Sequence, residues 1–215
     1  MPGKTIVIKH VTIYAAYLLV IWGFYRVLFT LPEEVEEVVI KPIVWLVPLI
    51  YFLGQEKLGL SSLGVTFKNL FSSIYLSLGL GSIFVIEAII SNYLKYGGFN
   101  FSANIGDKTI LYALGISLAT AVSEEIAFRG YLFNRLWSVI KGEWAANLIT
   151  TTAWTLMHVP MAIFIMKLSP GEIVVYLILI AAFGIGSAFV FARTKNVTAS
   201  ILLHILWSWP IILFR

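Results

Sequence analysis

The chain has 215 residues, of which 60% are hydrophobic and only 12% are charged, and its mean hydropathy is +0.92. Soluble domains contain about 25% charged residues, so this composition excludes a soluble protein and indicates an integral membrane protein. The formal charge is +4, but the basic residues are scattered, which gives no support to nucleic-acid binding. There is no cysteine, which excludes disulfides, thiolate metal ligands and a cysteine nucleophile.

Seven apolar stretches of the sequence are long enough to span a bilayer, which takes roughly 20 helical residues. They run over Val11–Thr30, Val38–Gly54, Ser72–Asn92, Thr109–Phe133, Trp144–Met166, Glu172–Ala192 and Val197–Phe214. We expect the segment Gln55–Phe71 to form a short helix at the membrane interface. Small residues spaced by four, such as Ser77 and Gly81, suit close packing between helices. The sequence therefore predicts an all-α, polytopic bundle of about seven spanning helices, in one integral membrane domain over residues 1–215.

Basic residues in the connecting segments favour a cytoplasmic N-terminus, because positive charges accumulate on the cytoplasmic side of a membrane. With that orientation the inner segments hold eight basic residues and the outer segments hold four. The inner ones are Lys4, Lys9, Lys57, Lys68, Arg135, Lys141, Arg193 and Lys195, and the outer ones are Lys95, Lys108, Lys167 and Arg215. We therefore predict a multi-pass protein of the cell membrane with a cytoplasmic N-terminus and an external C-terminus.

Several ionisable residues near the ends of the first two stretches are interpreted as exposed to water or to the interface. We expect Lys41 to reach the interface, unless the second helix kinks at its prolines, and Arg26 to reach the interface as well. The acidic run Glu33–Glu37 is interpreted as a solvated loop. His10, at the aqueous edge of the first stretch, is interpreted as a solvated residue.

The ionisable residues inside the apolar stretches of the second half of the chain include Glu124, Glu125, Arg129, His158 and His204. A charged side chain at the bilayer centre costs about 2.5–3.5 kcal/mol even on the mildest scale, so such residues usually face a protein interior or a wet cavity. Counted from the predicted cytoplasmic helix ends, Glu124, His158 and His204 lie roughly 14, 21 and 11 Å deep at helical rise. We therefore predict a membrane-embedded site in which these three share one cavity.

The two glutamates are expected to have different roles. Glu125 and Arg129 are four residues apart, so on a helix they are neighbours and can form a charge-assisted ion pair. Glu124 is then left without that partner. It becomes the candidate general base of the site.

Helix periodicity places Trp154 on the face of His158 and Ser208 on the face of His204. A carboxylate, two imidazoles and a hydroxyl suit the attack of water on a carbonyl group. The carboxylate deprotonates the water, one imidazole positions it, and the other donors stabilise the oxyanion. Nothing in this set requires a covalent intermediate.

Two other chemistries compete with this interpretation. Ser123 or Ser208 is a candidate nucleophile, but either serine needs a histidine base within hydrogen-bond reach. A divalent metal such as zinc, held by Glu124, His158 and His204, is the stronger alternative because the ligand types suit zinc. The sequence contains no His-Glu-x-x-His motif, and the three ligands come from different helices, so their spacing neither supports nor excludes a metal.

The second half of the chain carries three motifs in a fixed order inside predicted helices. They are Glu124-Glu125-x-x-x-Arg129, Trp154-x-x-x-His158 and His204-x-x-x-Ser208. The set resembles the CAAX protease and bacteriocin-processing family of intramembrane proteases, which is related to the Rce1-type prenyl-protein endopeptidase. The resemblance covers about Thr109–Phe214. It implies that Glu125 and Arg129 support the site structurally.

The resemblance also implies that Glu124 and His158 activate the attacking water, while His204 and Ser208 form an oxyanion hole. Two positions depart from the family pattern. Trp154 stands where the family usually has Phe, which is conservative if the position only packs against the site. Ser208 stands where the family usually has Asn, and its shorter side chain weakens the oxyanion contact. Loss of one oxyanion donor in a known hydrolase costs about 10²–10³-fold in turnover.

The leading hypothesis is an intramembrane endopeptidase whose cavity opens toward the cytoplasm. Its expected partners are membrane lipid and a peptide or membrane-protein substrate, prenylated or not. No cofactor is expected, with zinc as the alternative. Two hypotheses from other classes are a transporter or proton relay that uses the same Glu/His set, and a catalytically silent membrane interaction protein.

Overall fold

The computed structural model describes residues 3–29, 31–102 and 105–214, so the predicted span end at Thr30 and the terminal Arg215 lie outside the described residues. The structure is 85% helical, with no strand among the described residues. Seven helices in this part of the chain are long and apolar enough to cross a membrane. They are α1 Lys4–Leu28, α2 Glu33–Glu56, α3 Leu70–Tyr96, α4 Ile110–Ile140, α5 Glu143–Ile165, α6 Pro170–Thr194 and α7 Val197–Phe214. The predicted all-α, polytopic fold is confirmed.

The acidic run at the start of α2 is helical, which corrects the interpretation of this segment as a solvated loop. The helix begins at Glu33, after Pro32, instead of at Val38. Glu36 and Glu37 are only 5% and 7% exposed. Their charges are tolerated because basic side chains face them from inside the bundle. The hydropathy of the sequence around a glutamate does not reveal such partners.

Four of the spanning helices contain a turn of wider, π-helical geometry. These turns are Leu18–Trp22 in α1, Glu36–Ile40 in α2, Ile126–Phe133 in α4 and Met161–Ile165 in α5. Such turns are rare and occur frequently at functional sites. Here they contain Trp22, Glu37 and Met161, which line a cavity inside the bundle, and Arg129, which forms an ion pair with Glu125.

The last helix, α7, packs against α3, α4 and α6. The contact with α3 is close because a side chain at Gly81 would place its Cβ 2.8 Å from Leu206 Cβ. The hydroxyl of Ser77, one turn earlier, donates to the carbonyl of Ala199 at 2.7 Å. The interpretation of Ser77 and Gly81 as a packing surface is therefore confirmed, and it fixes the helix that carries His204.

An aromatic core lies between α2, α4, α5 and α6. Phe128 packs edge-on against Trp154 with ring centroids 4.9 Å apart, and it also contacts Trp45 at 5.9 Å. Trp154 contacts Phe183 of α6 at 6.3 Å. All four rings are almost completely buried, and aromatic pairs of this geometry add about 0.5–1.5 kcal/mol beyond their area burial.

Glu56 connects α1, α2 and α4 at the end of the bundle where α1 begins. It accepts hydrogen bonds from Tyr131 at 2.8 Å and from Arg135 Nε at 2.7 Å, and it lies 3.2 Å from His10 Nδ1. The interpretation of His10 as a solvated residue is therefore wrong. Arg135 also contacts Ser62 in the short 3₁₀ helix Leu60–Leu63, which lies within the segment predicted to contain a short helix.

Candidate functional site

A cavity of about 200 Å³ lies between α1, α2, α4, α5 and α6, and we call it the site cavity. Glu124 and His158 both line it. The other lining residues are Trp22, Gly23, Arg26, Glu37, Lys41, Trp45, Thr120, Met157, Met161 and Tyr176. Two of the three residues predicted to share a cavity therefore do so.

Glu124 has a cationic partner that the sequence did not reveal. Its carboxylate forms an ion pair with the ammonium group of Lys41, and both side chains are less than 10% exposed. The expectation that Lys41 reaches the interface is therefore wrong, and so is the expectation that Glu124 is left without a basic partner. A buried charge pair is tolerated where each charge is matched at short distance, as it is here.

His158 is oriented by its own helix. Its ring Nδ1 lies 2.8 Å from the carbonyl oxygen of Trp154, one turn earlier. A carbonyl oxygen only accepts hydrogen bonds, so Nδ1 carries the hydrogen, and Nε2 of the neutral ring carries a lone pair. The His158 side chain lines the site cavity together with Glu124. A carboxylate and an imidazole that can each accept a hydrogen bond thus line the same cavity.

Glu125 faces a different set of groups, which we call the Glu125 cluster. Arg129 donates to Glu125 Oε1 at 3.2 Å, so the ion pair predicted from the four-residue spacing is present. His204 Nδ1 lies 2.8 Å from the same oxygen, and Ser187 donates to Oε2 at 2.6 Å. Glu125 is fully buried. The cluster joins α4, α6 and α7 through one carboxylate.

His204 consequently does not line the site cavity. Its Nδ1 is engaged by Glu125, and its ring packs between Phe183 at 4.7 Å and Trp207 at 5.9 Å. Trp154 is the link between the two histidines, with ring centroids 4.9 Å from His158 and 6.1 Å from His204. The residue in the usual Phe position of the family thus packs against both.

Ser208 lies in a second cavity, of about 560 Å³, which we call the apolar cavity. Its hydroxyl is 2.8 Å from that of Ser117 on α4. The apolar cavity lies between α3, α6 and α7 and shares two lining residues, Met161 and Tyr176, with the site cavity. Trp207 lines it as well. The two cavities therefore adjoin, and Ser208 is on the far side of their common wall.

Arg26 and Glu37 also line the site cavity, and the sequence analysis missed both as site residues. Arg26 forms ion pairs with Glu36 at 2.8 Å and with Glu37 at 2.7 Å, so it does not reach the interface alone. Thr120 donates to Glu37 at 2.7 Å. The sequence could have indicated both as site residues, because the cost of a charge inside a membrane helix applies to α1 and α2 as well as to α4.

The position of the site cavity along the bundle bears on the predicted orientation. Arg26 and Met161 lie near the C-terminal ends of α1 and α5, and Glu37 and Tyr176 lie near the N-terminal ends of α2 and α6. These ends are on the side opposite to the start of α1. A cytoplasmic N-terminus would place the cavity nearer the external side. The orientation of the chain and the side on which the cavity opens both stay predictions.

Within the described residues, no group of three or more His, Cys, Asp or Glu side chains is arranged to hold a metal ion. The proposed ligands are divided, because Glu124 and His158 line the site cavity while His204 binds Glu125. The arrangement therefore presents two of the three ligands at one place.

The fold and the site define a polytopic membrane protein with a carboxylate and an imidazole in a cavity among its helices. Residues 106–210 match the model of the family described as Type II CAAX prenyl endopeptidase Rce1-like. The match agrees with the family that the sequence motifs predicted, and that family implies a peptidase acting in membranes on peptides or prenylated proteins. No curated protein matches the sequence. Lys41, Glu37 and Arg26 lie outside the matched residues.

Proposed function

We propose that this protein is an intramembrane endopeptidase of the CAAX protease type, in which Glu124 and His158 activate a water molecule for attack on a peptide carbonyl. The observation that carries the proposal is that these two side chains, which lie on different helices, line one cavity inside the bundle. The family match over residues 106–210 supports the reaction class.

The two acceptors suit the activation of one water molecule. A water molecule has two hydrogens, so it can donate one to the Glu124 carboxylate and one to Nε2 of His158. Its oxygen lone pair is then directed at the third side, where the scissile carbonyl carbon has to lie. Such positioning converts an encounter with bulk water into an intramolecular step.

The reaction then proceeds by general acid and base catalysis. Glu124 takes a proton as the water oxygen bonds to the carbonyl carbon, and the carbonyl oxygen becomes the oxyanion. Glu124 next gives that proton to the amide nitrogen, and the carbon–nitrogen bond breaks. The products are a carboxylic acid and an amine, so the enzyme returns to its starting state without a covalent intermediate.

The oxyanion donors in this proposal are His204 and Ser208, on the helix α7 that borders the apolar cavity. His204 keeps Nε2 after Nδ1 binds Glu125, and Glu125 with Arg129 holds that ring in place. Ser208 lines the apolar cavity itself. The scissile carbonyl would therefore lie at the common wall formed by Met161 and Tyr176.

The substrate would be a peptide or membrane-protein segment, prenylated or not, since the apolar cavity adjoining the site has room for a large apolar group. We place the protein in the cell membrane. The N-terminus is cytoplasmic in this proposal, as the distribution of basic residues suggests, and substrates would then reach the site from the external half of the membrane.

The test is cleavage of a peptide library by the protein purified in detergent. Wild type cleaves, and Glu124→Gln lowers kcat by about 10²–10⁴-fold because the base is lost. His158→Ala lowers kcat in the same direction, whereas the exposed Glu33→Gln is the matched control and leaves it unchanged. No cleavage by wild type, or equal cleavage by Glu124→Gln, contradicts the mechanism.

Two further arms of the same assay distinguish the alternatives. Removal of divalent metal with a chelator leaves cleavage unchanged, whereas a stoichiometric metal that is lost with His158→Ala supports a zinc enzyme instead. Ser208→Asn increases kcat if Ser208 is a weakened oxyanion donor. An unchanged kcat in that variant would remove Ser208 from the mechanism.

A further inference from the structure

The ammonium group of Lys41 lies between two carboxylates. It donates to Glu37 Oε2 at 2.7 Å and forms an ion pair with Glu124 Oε1, and its side chain is 3% exposed. Glu37 is in the same helix, one turn earlier, whereas Glu124 is on α4. Lys41 therefore connects the carboxylate of the candidate base to a helix outside the region that matches the family model.

Lys41 is itself held on several sides. Glu37, its first partner, accepts a hydrogen bond from Arg26 at 2.7 Å and another from Thr120 at 2.7 Å. The rings of Trp22 and Trp45 flank the ammonium group, with centroids 5.2 and 5.4 Å away. Two aromatic faces and an anchored carboxylate restrict the movement of the amine, and the aromatic faces stabilise its charge.

The pairing leaves one side of the Glu124 carboxylate for chemistry. Lys41 contacts Oε1, and Oε2 has no ion-pair partner among the described residues. A carboxylate with both oxygens unrestrained rotates about its terminal torsion, which is broad in Glu. Fixing Oε1 therefore restricts the orientation of Oε2 on the side chain that lines the site cavity.

We propose that Lys41, anchored by Glu37, is a positioning residue that holds Glu124 in the orientation needed to deprotonate the attacking water. The inference rests on the proposed function, because it assigns a role to the partner of the proposed base. Lys41 acts through Glu124 and does not contact the substrate. It adds α2 to the catalytic unit, which the motifs of α4, α5 and α7 alone do not include.

The experiment compares three variants of the full chain in the peptide cleavage assay. Lys41→Met combined with Glu37→Gln removes the cation while keeping the net charge of the cavity, so its folding is less at risk than that of Lys41→Met alone. Lys41→Arg keeps the positive charge. Lys9→Met, which replaces an exposed lysine at the other end of the bundle, is the matched control.

We expect the double variant to lower kcat by about 10–100-fold, since misplacement of a reacting group by about 1 Å has effects of that order. KM stays unchanged because Lys41 does not line the apolar cavity. Lys41→Arg recovers part of kcat, and Lys9→Met equals wild type. If the substitutions only destabilise the protein, thermal unfolding shows less folded enzyme, and kcat per folded molecule stays unchanged.

The outcomes separate this inference from the proposed function. If wild type cleaves, Glu124→Gln does not, and the double variant keeps the wild-type kcat, the inference alone is overturned. If the double variant loses kcat and Lys41→Arg recovers none of it, a positive charge beside Glu124 is not what matters, and the inference is overturned as well. If wild type cleaves nothing, the proposed function fails and the inference falls with it.

Discussion

Two neighbouring glutamates on one helix face two different environments. Glu124 lines a cavity and pairs with Lys41, whereas Glu125 is sealed in a cluster with Arg129, Ser187 and His204. Consecutive residues on an α-helix point about 100° apart, so their side chains leave the helix in different directions. One helical turn thus provides a carboxylate for chemistry and another that holds three helices together.

The two carboxylates differ in whether their basic partners have another anion to bind. Lys41 keeps Glu37 as a second anion if Glu124 is removed. Arg129 has no second carboxylate among the ion pairs of the described residues, although it also donates to the carbonyl of Gly184 at 3.2 Å. The comparison therefore predicts that Glu125 matters mainly for stability and Glu124 mainly for activity.

The largest expected effect on stability is that of Glu125→Gln. It leaves the buried Arg129 without its counterion, and breaking a buried pair in this way costs about 3–5 kcal/mol. Glu124→Gln should lower the free energy of unfolding by clearly less, because Lys41 keeps Glu37. Denaturant unfolding in detergent micelles measures both, with the exposed Glu33→Gln as control. Equal losses of unfolding free energy in Glu124→Gln and Glu125→Gln would contradict the different roles of the two carboxylates.

Ser187→Ala should have the next largest effect. The hydroxyl of Ser187 donates to Glu125 Oε2 at 2.6 Å inside the cluster, and a hydrogen bond to a charged group contributes about 1.5–3 kcal/mol. The matched control is Ser82→Ala on α3, whose exposed hydroxyl bonds only to its own helix. The same unfolding measurement applies, and a loss no larger than that of Ser82→Ala would show that Glu125 does not depend on Ser187.

Gly81→Ala tests whether the close contact of α3 with α7 holds the His204 helix in place. The added methyl group meets Leu206, and overpacking of this kind costs about 1–3 kcal/mol. Gly79→Ala on the same helix meets no atom within 4 Å and should be neutral or slightly stabilising. A shift in thermal unfolding confined to Gly81→Ala supports the contact, whereas equal behaviour of the two variants contradicts it.

The smallest expected effect is that of Trp154→Phe, which introduces the usual residue of the family between the two histidines. The indole Nε1 is buried and has no hydrogen-bond partner in the described structure, so its loss offsets part of the lost packing. We expect a decrease of about 1 kcal/mol in the free energy of unfolding, with cleavage retained. Trp144→Phe, at an exposed ring, is the control. Loss of cleavage would show that Trp154 does more than pack.

The spans and the Glu125–Arg129 pair could be predicted from the sequence because both are local. A run of apolar residues defines a span by itself, and a spacing of four residues defines neighbours on a helix. The pair of Glu124 with Lys41 could not be predicted, because it depends on which helices become neighbours. The same limit explains the error for Glu37, whose burial follows from Arg26 and Thr120 on two other helices.

Helix α2 contains both Lys41 and its counterion Glu37 when it enters the membrane. The N-terminal part of a chain is synthesised first, so α2 is complete long before α4 and its Glu124 leave the ribosome. Until then, Lys41 has Glu37 one turn away in the same helix, at 2.7 Å in the finished protein. Insertion of α2 with Lys41 already paired to Glu37 avoids much of the cost of a lone lysine in lipid. During biogenesis the Glu37–Lys41 pair can therefore form before Glu124 is present to bind the same lysine.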